Sequence, residues 1–410
     1  MGEAGRRVQV ALAGLGLRAE LVDVGEGHDP TAWWCALHDG TGDASPAACG
    51  MGKGRPAEAR VGALFEAVEH YLTGPARFDP AAVEPVAPAV IAAGPLRADA
   101  SALLLARMPG RRLACLRHRP LGGGREALMP LFLFAPWYVE AGAAPVRERA
   151  GDDCDYTHLM RYSCNSGSAA GVTTAEALLH ALNEVIERDA LSLLLVRAFL
   201  GADGFRPTLI DPATLPPGLA RAYATAGEVT ASPVHLLDIT SDLGVPTMLA
   251  YTVPTAGGPH RRGTGTSPTP AHAAWRALTE LVQTTLGEHR ARPARGDLAG
   301  LAAHPALHAC GRFDLTGLLR EARVVPFPRA AEAAGPPGHQ VRKVAARLAA
   351  RGFTAYHRTA CALPGGVTAV QVIVPGLERF MLITDGDLVL PGSRGLAAAA
   401  GKIPETAPPT

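Results

Sequence analysis

The chain has 410 residues, 48% of them hydrophobic and 19% charged, with a net charge of +1. That length holds two to three domains, or one large composite domain with a sizeable core. A net charge this small excludes a strong field for nucleic acid or an acidic membrane, and no run of about 18 apolar residues suggests a membrane span, so a soluble, cytoplasmic protein is expected.

Seven cysteines, Cys35, Cys49, Cys115, Cys154, Cys164, Cys310 and Cys361, are scattered without a CxxC pair. Reduced thiols are expected, not a disulfide framework or a zinc site. Cys164 lies just before a small-residue loop, but the sequence implies no histidine partner for it as a nucleophile.

Residues 1–50 predict an amphipathic helix, then short strands at 22–24 and 33–37 and a loop-like segment ending at Cys49. GMGKGRPAEARVGALFEAVEHYL follows. The Gly-rich run 50–54, with Lys53, suggests a phosphate loop, although it lacks the spacing GxxxxGK[ST]. A helix is predicted over about 56–72, with Val61, Leu64, Phe65, Val68 and Leu72 on one face and Glu66 and Glu69 on the other.

Residues 75–160 are rich in Pro and Ala, with strands or buried segments expected at 90–91, 103–105 and 128–134. Arg117, His118 and Arg119 read as a solvated strand end or turn. Asp152, Asp153 and Asp155 lack a calcium loop's length and closing Glu, and read as surface loop.

From Asn165 a small-residue loop leads into a long helix. Thr173 and Glu176 have capping-box spacing, which starts the helix near Thr174. Leu178, Leu182, Val185, Ile186 and Leu191 belong to its apolar stripe. Glu184, Glu187 and Arg188 share one face, with Glu176 two turns earlier. Taken alone, that face is a solvated one with an ion pair.

Short strands are expected at 235–239 and 247–252. In GTGTSPTPAHAAWRALTELVQ, another small-residue loop opens a helix at about Ala271. Arg276, Glu280 and Gln283 then fall on one face. His304 and His308 are four apart, but Pro305 spoils a helical metal pair. A break at 335–338, a helix over 341–351, strands at 354–358 and 367–374 and a Pro-containing tail complete the chain. No repeat of solenoid period is present.

Glu66, Glu69, Glu176, Glu184, Glu187 and Glu280 place six carboxylates on three helices, each after a small-residue loop. If the faces converge, divalent cations are the natural remedy for the crowded charge. Backbone N–H groups of the loops, with Lys53 among them, and the arginines would suit phosphate. The spacing thus permits a Mg·ATP site built by three helices.

The same stretches resemble the YcaO family, in GALFEAVEHY, AAGVTTAEALLHALNEVIERDA and RALTELVQ, in that order. IVPGLERF and PGSRG resemble its C-terminal portion, so the resemblance runs from about Gly52 to Gly395. It implies an α+β, YcaO-type composite fold, with sheets and long helices converging on an ATP/Mg site. The catalytic domain would span 51–400, with 1–50 integrated into it and 401–410 a tail. Implied too is ATP-dependent activation of peptide backbone amides without a Walker motif. By matching positions, Glu66, Glu69, Glu176, Glu184, Glu187 and Glu280 bind Mg²⁺ and nucleotide, Arg188 and Arg276 contact phosphates, and Gln283 lies nearby.

Phosphorylating the amide oxygen makes it a leaving group. Cyclodehydration of Cys, Ser or Thr in a ribosomally made precursor peptide, giving azolines, is the first reading. Thioamide formation with a TfuA-like partner, or amidine formation, is the second, and a non-catalytic nucleotide-binding scaffold the third. The sequence departs from the family pattern at Gly62 (usually Ser), His70 (usually Arg), and Ala169 and Val172 (usually polar). It ends in APPT, without the Pro-x-Pro-x-Pro of azoline formers. The first 50 residues are too short for a leader-binding module, so a separate partner protein is expected, and the resemblance implies a homodimer.

Overall fold

The computed structural model describes residues 2–40, 46–201, 204–255, 258–288, 298–328 and 335–403. Its architecture is α+β, with three sheets around a long helix. Helix α1 (Glu3–Gly14) leads into antiparallel strands β1 (Arg18–Asp23), β2 (Thr31–His38) and β3 (Ala48–Gly54), in that order. The glycine run expected to form a phosphate loop is therefore strand β3. Helix α2 (Pro56–Thr73) lies directly on it. A Cβ at Gly52 would come within 1.8 Å of the Ala59 carbonyl oxygen, and one at Gly50 within 2.3 Å of the Ala67 nitrogen. These glycines are there for close packing of strand on helix.

Strands β4 (Glu84–Val86), β5 (Leu113–Pro120), β6 (Ala127–Pro130) and β7 (Ser168–Gly171) belong to a six-stranded sheet. The segments expected as strands or buried stretches at 90–91 and 103–105 are short helices, Pro88–Ala93 and Ala102–Leu105, of which Ile91 and Leu105 are buried while Val90 and Leu103 are exposed. Pro88 opens the first of them, where its fixed φ suits a helix start. Only the first part of 128–134 is strand; Leu131–Leu133 is a 3₁₀ turn. On β5, Arg117 is exposed and pairs with Glu84 at 2.5 Å, whereas His118 is buried. Strand alternation turns these neighbours to opposite faces. Asp152 is not surface loop: it is buried and accepts from Tyr138 Oη (3.0 Å), Tyr156 Oη (2.5 Å) and the Ala114 amide (3.0 Å).

Helix α3 (Thr174–Phe199) is the longest. Thr173 Oγ1 accepts the Glu176 amide at 3.2 Å, and the helix starts where its cap predicts. From Asp189 to Val196 it is buried on every side, as expected for a helix through the middle of a domain. A five-stranded sheet comprises β8 (Thr208–Ile210), β9 (His235–Asp238), β10 (Thr247–Thr252), β11 (Arg261–Thr266) and β12 (Arg323–Val325), in the order β11-β10-β9-β8-β12. Helices α4 (Pro217–Thr230) and α5 (Pro270–Leu286) share an apolar cluster with it. Pro305 does not break a helix; it begins one, Pro305–Arg312, with His304 at the N-cap. Helix α6 (Pro337–Ala350) precedes β13 (Tyr356–Ala362) and β14 (Thr368–Ile373), which complete the sheet in the order β4-β5-β13-β14-β7, with β6 on β5.

A buried ionic cluster ties the C-terminal portion to α3. Arg394 donates to both oxygens of Asp189, at 2.8 and 3.0 Å, and to Asp242 at 2.5 Å. Asp189 also accepts the Glu378 amide, and Glu378 in turn accepts the Gly392 and Gly395 amides at 3.0 and 2.6 Å. Residues 404–410 of the expected tail lie outside the described residues. No helix among the described residues is long and apolar enough to cross a membrane.

Candidate functional site

The three acid-bearing helices carry one heptapeptide in three spellings. It is ALFEAVE in α2 (63–69), ALNEVIE in α3 (181–187) and ALTELVQ in α5 (277–283). A short strand with helix-packed glycine precedes each: β3, β7 and β11. On β11 a Cβ at Gly263 would lie 2.2 Å from the Leu281 nitrogen, and one at Gly265 2.3 Å from the Ala273 carbonyl oxygen. On β7 a Cβ at Gly171 would lie 2.8 Å from the Ala177 nitrogen. The unequal spacing of the three copies hides this repeat from a search for a fixed period.

The three units interlock in a ring. The first acid of each heptapeptide is held by its own preceding segment: Glu66 by the Met51 N–H, Glu184 by the Gly167 N–H at 3.3 Å, and Glu280 by the Thr264 N–H at 3.2 Å. The last residue reaches the strand of the next unit. Glu69 takes the Ala170 N–H of β7. Glu187 takes the Thr266 N–H at 2.9 Å and the Thr264 hydroxyl at 3.1 Å, both on β11. Gln283 donates its Nε2 to the Met51 carbonyl of β3 at 2.8 Å, closing the circle. A carbonyl can only accept, which is why the third unit carries an amide where the others carry an acid.

These backbone donors leave much negative charge inside the ring. Burial, then repulsion from Glu184 and Glu66, hold Glu69 well above the ordinary carboxylate range, with the Ala170 N–H opposing. Burial also raises Glu184, with Arg188 opposing at 3.4 Å, and raises Glu66, with His70 and Lys53 opposing. Glu280 goes the other way. Burial would lift it, but its ion pair with Lys53 and the nearby Arg188 bring it to about 2. The side chains are enclosed without being sealed: Glu184 is 17% and Glu280 23% exposed. They line a cleft that water reaches.

The predicted arginines border the same cleft. Arg188 responds to Glu184, Glu187 and Glu280 together. The Nε atoms of both Arg188 and Arg276 are buried without a hydrogen-bond partner. Glu176 stands apart: its carboxylate accepts the Val172 N–H at 3.1 Å, at the start of its own helix. His70, the residue after the α2 heptapeptide, occupies the place that Arg188 has on α3. Its Nδ1 lies 2.6 Å from the Cys49 carbonyl oxygen. Ala169 is buried and pairs with Val370 of β14.

Sequence reasoning missed three residues here. His180 lies four residues after Glu176 and four before Glu184, so the helical stripe itself pointed to it. Burial, then Arg276, Lys53 and His272, push its imidazole down to about 3, so it is neutral. His272 sits beside Arg276 and near Lys53. Arg262, on β11, gave no helical signal at all.

Hard oxygen donors in excess, cations too few to balance them, and unpartnered guanidinium nitrogens suit Mg²⁺ with a polyphosphate. Among the described residues no three His, Cys, Asp or Glu form a ready metal cage.

A family model described as YcaO cyclodehydratase, ATP- and Mg²⁺-binding, matches residues 51–378. An uncharacterised protein in the tfuA 3′ region of Rhizobium leguminosarum bv. trifolii is 27% identical over 282 residues, 63% of this chain and 61% of that protein. This chain thus matches less than two thirds of that relative's length. The structure of YcaO from Methanopyrus kandleri, bound with AMPPCP and Mg²⁺, superposes with a TM-score of 0.62 at 18% identity, covering 98% of this chain and 94% of its own. A heterocyclase in complex with substrate and cofactor gives 0.61 at 18% identity, over 91% of this chain and 52% of its own.

Proposed function

Because the chain belongs to the YcaO family, we propose that it uses ATP and Mg²⁺ to activate backbone amides of a ribosomally made precursor peptide. The observation that carries this reading is the closed ring of three acidic helices around one cleft. In it, Glu66, Glu69, Glu184, Glu187 and Glu280 hold Mg²⁺, with Glu176 joining them on family resemblance alone. Lys53, Arg188 and Arg276 take the phosphates, and Gln283 keeps the first and third units in register. Bound ATP would supply the phosphoryl group that makes the amide oxygen a leaving group, and Mg²⁺ would neutralise the charge on its phosphates. The protein's own task is to fix the acids by backbone N–H groups before anything binds, so that little reorganisation is needed later.

Cyclodehydration of Cys, Ser or Thr to an azoline is the first product reading, supported by the description of the family. Thioamide formation with a TfuA-like partner is the second, and the relative named for the tfuA 3′ region favours it. Incubating the protein with ATP, Mg²⁺ and a precursor peptide encoded beside it tests both. An azoline product loses one water, and a thioamide exchanges oxygen for sulfur. Tight Mg·ATP binding with no peptide-dependent ADP release would mark a nucleotide-binding scaffold and overturn the enzymatic reading.

A further inference from the structure

We infer that Arg262 holds the oxygen of the amide under attack, at the end of the cleft opposite Arg276; the inference rests on the nucleotide reading above. On β11, alternate residues face opposite ways. Gly263 and Gly265 press on α5. Arg262, Thr264 and Thr266 share the other face, where Thr264 bonds both Glu187 and Glu280.

The packing sets an order along the cleft. Gly265 lies level with Ala273, Arg276 and Ala277, and Gly263 level with Ala277, Glu280 and Leu281. Arg262 lies one step beyond, where Thr284 Oγ1 donates to its carbonyl at 3.1 Å. Two residues along a strand amount to about 7 Å. Arg276 and His180 therefore mark one end, Lys53, Glu187 and Glu280 the middle, and Arg262 the other end. Phosphoryl transfer needs the acceptor oxygen in line beyond the terminal phosphate; with the phosphates on Arg276 and Lys53, as proposed above, Arg262 would stand at that end.

Its surroundings hold the guanidinium in place. Arg262 Nη2 donates to Thr384 Oγ1 at 2.8 Å, Nη1 lies 3.0 Å from His260 Nε2, and the group stands 5.0 Å over the Phe313 ring. Burial lowers its pKa from the usual arginine value, with Asp385 opposing and Arg188 adding to the effect. An enclosed guanidinium fixed before the oxyanion forms can hold it with little reorganisation. The nucleophile adds to the amide carbon and gives its proton to solvent, and the C=O π pair moves onto oxygen. Arg262 holds that oxyanion until it bonds to the terminal phosphorus of ATP. The bond to the β,γ-bridging oxygen then breaks and ADP leaves.

The test needs no peptide. Orthovanadate with MgADP stands in for the phosphoryl group in flight, and Mg·AMPPCP for the ground state. The wild-type protein retains ADP on adding vanadate. Arg262→Ala binds Mg·AMPPCP within about threefold of wild type but loses vanadate-dependent ADP retention at least tenfold, and Arg262→Lys falls between. Arg276→Ala loses Mg·AMPPCP affinity itself. No vanadate effect in the wild type, an unchanged one in Arg262→Ala, or an AMPPCP loss there equal to that of Arg276→Ala overturns the inference. If the wild-type protein binds no Mg·AMPPCP, the nucleotide reading falls, and the inference with it.

Discussion

Gln283 donates its side-chain amide to the Met51 carbonyl at 2.8 Å, across 232 positions of sequence. This contact joins the third acidic helix to the strand before the first. Gln283→Glu would set a carboxylate against a carbonyl, two acceptors with no donor between them. It should cost about 1–3 kcal/mol of stability, more than Gln283→Ala, which leaves room for water. Urea unfolding of the two variants checks the order.

Glu187 and Glu280 meet at the Thr264 hydroxyl, in the middle of the cleft. Glu187→Ala and Glu280→Ala should each lower ATP turnover by at least about 100-fold. Each variant should keep the circular-dichroism spectrum of the wild type. Wild-type turnover in either one would remove the metal and nucleotide roles assigned to these acids.

The raised carboxyls of Glu66, Glu69 and Glu184 make stability depend on pH. In the unfolded chain these acids lose their protons near 4.5, but in the folded protein they hold them to higher pH. The folded state binds more protons, so its advantage is full below about pH 4.5 and declines as pH rises through the folded values. A divalent cation offsets the repulsion only once the acids are ionised. Mg²⁺ with AMPPCP should therefore raise the melting temperature more at pH 8 than at pH 5, and EDTA should reverse it. An equal shift at both pH values would contradict the assignment of these acids to the metal.

Arg394 is 7% exposed and neutralises two buried aspartates, Asp189 and Asp242. Removing the cation leaves uncompensated charge next to Arg188 in the chain. Arg394→Ala should cost about 3–5 kcal/mol, whereas Arg351→Ala, a half-exposed partner of Asp242 at 3.8 Å, should cost less than about 1 kcal/mol. Denaturant midpoints of the two variants separate these cases.

Gly52→Ala should fail to fold or lose several-fold in soluble yield, because its Cβ would collide with the Ala59 carbonyl. Gly122→Ala meets nothing within 4 Å and serves as the control. Comparable yield and melting temperature in the two variants would show that strand β3 is not held against α2 by that contact.

Much of this molecule was legible along the chain. Thr173 and Glu176 announced the start of α3, the helices expected from about 56 and 271 begin at Pro56 and Pro270, and the spacing of Glu184 and Glu187 placed both acids on one face. Such features depend on neighbours within one or two helical turns, and local sequence contains those neighbours. The stretches near 90 and 104, read as strands or buried segments, are short apolar runs, for which periodicity does not separate strand from helix. Asp152 looked like surface because two of its partners, Tyr138 and Ala114, come from other segments.

The sequence by itself determined which residues are acids, which helices carry them and how they are spaced. Tertiary structure alone decided which of them meet. A carboxylate's neighbours in space include backbone N–H groups, and these belong to every residue, so no letter of the sequence marks them. That is why Ala170, Gly167 and Met51 became donors to the ring without any signal. It is also why Arg262, on a six-residue strand whose glycines face the other way, emerged only when β11 was seen lying along α5.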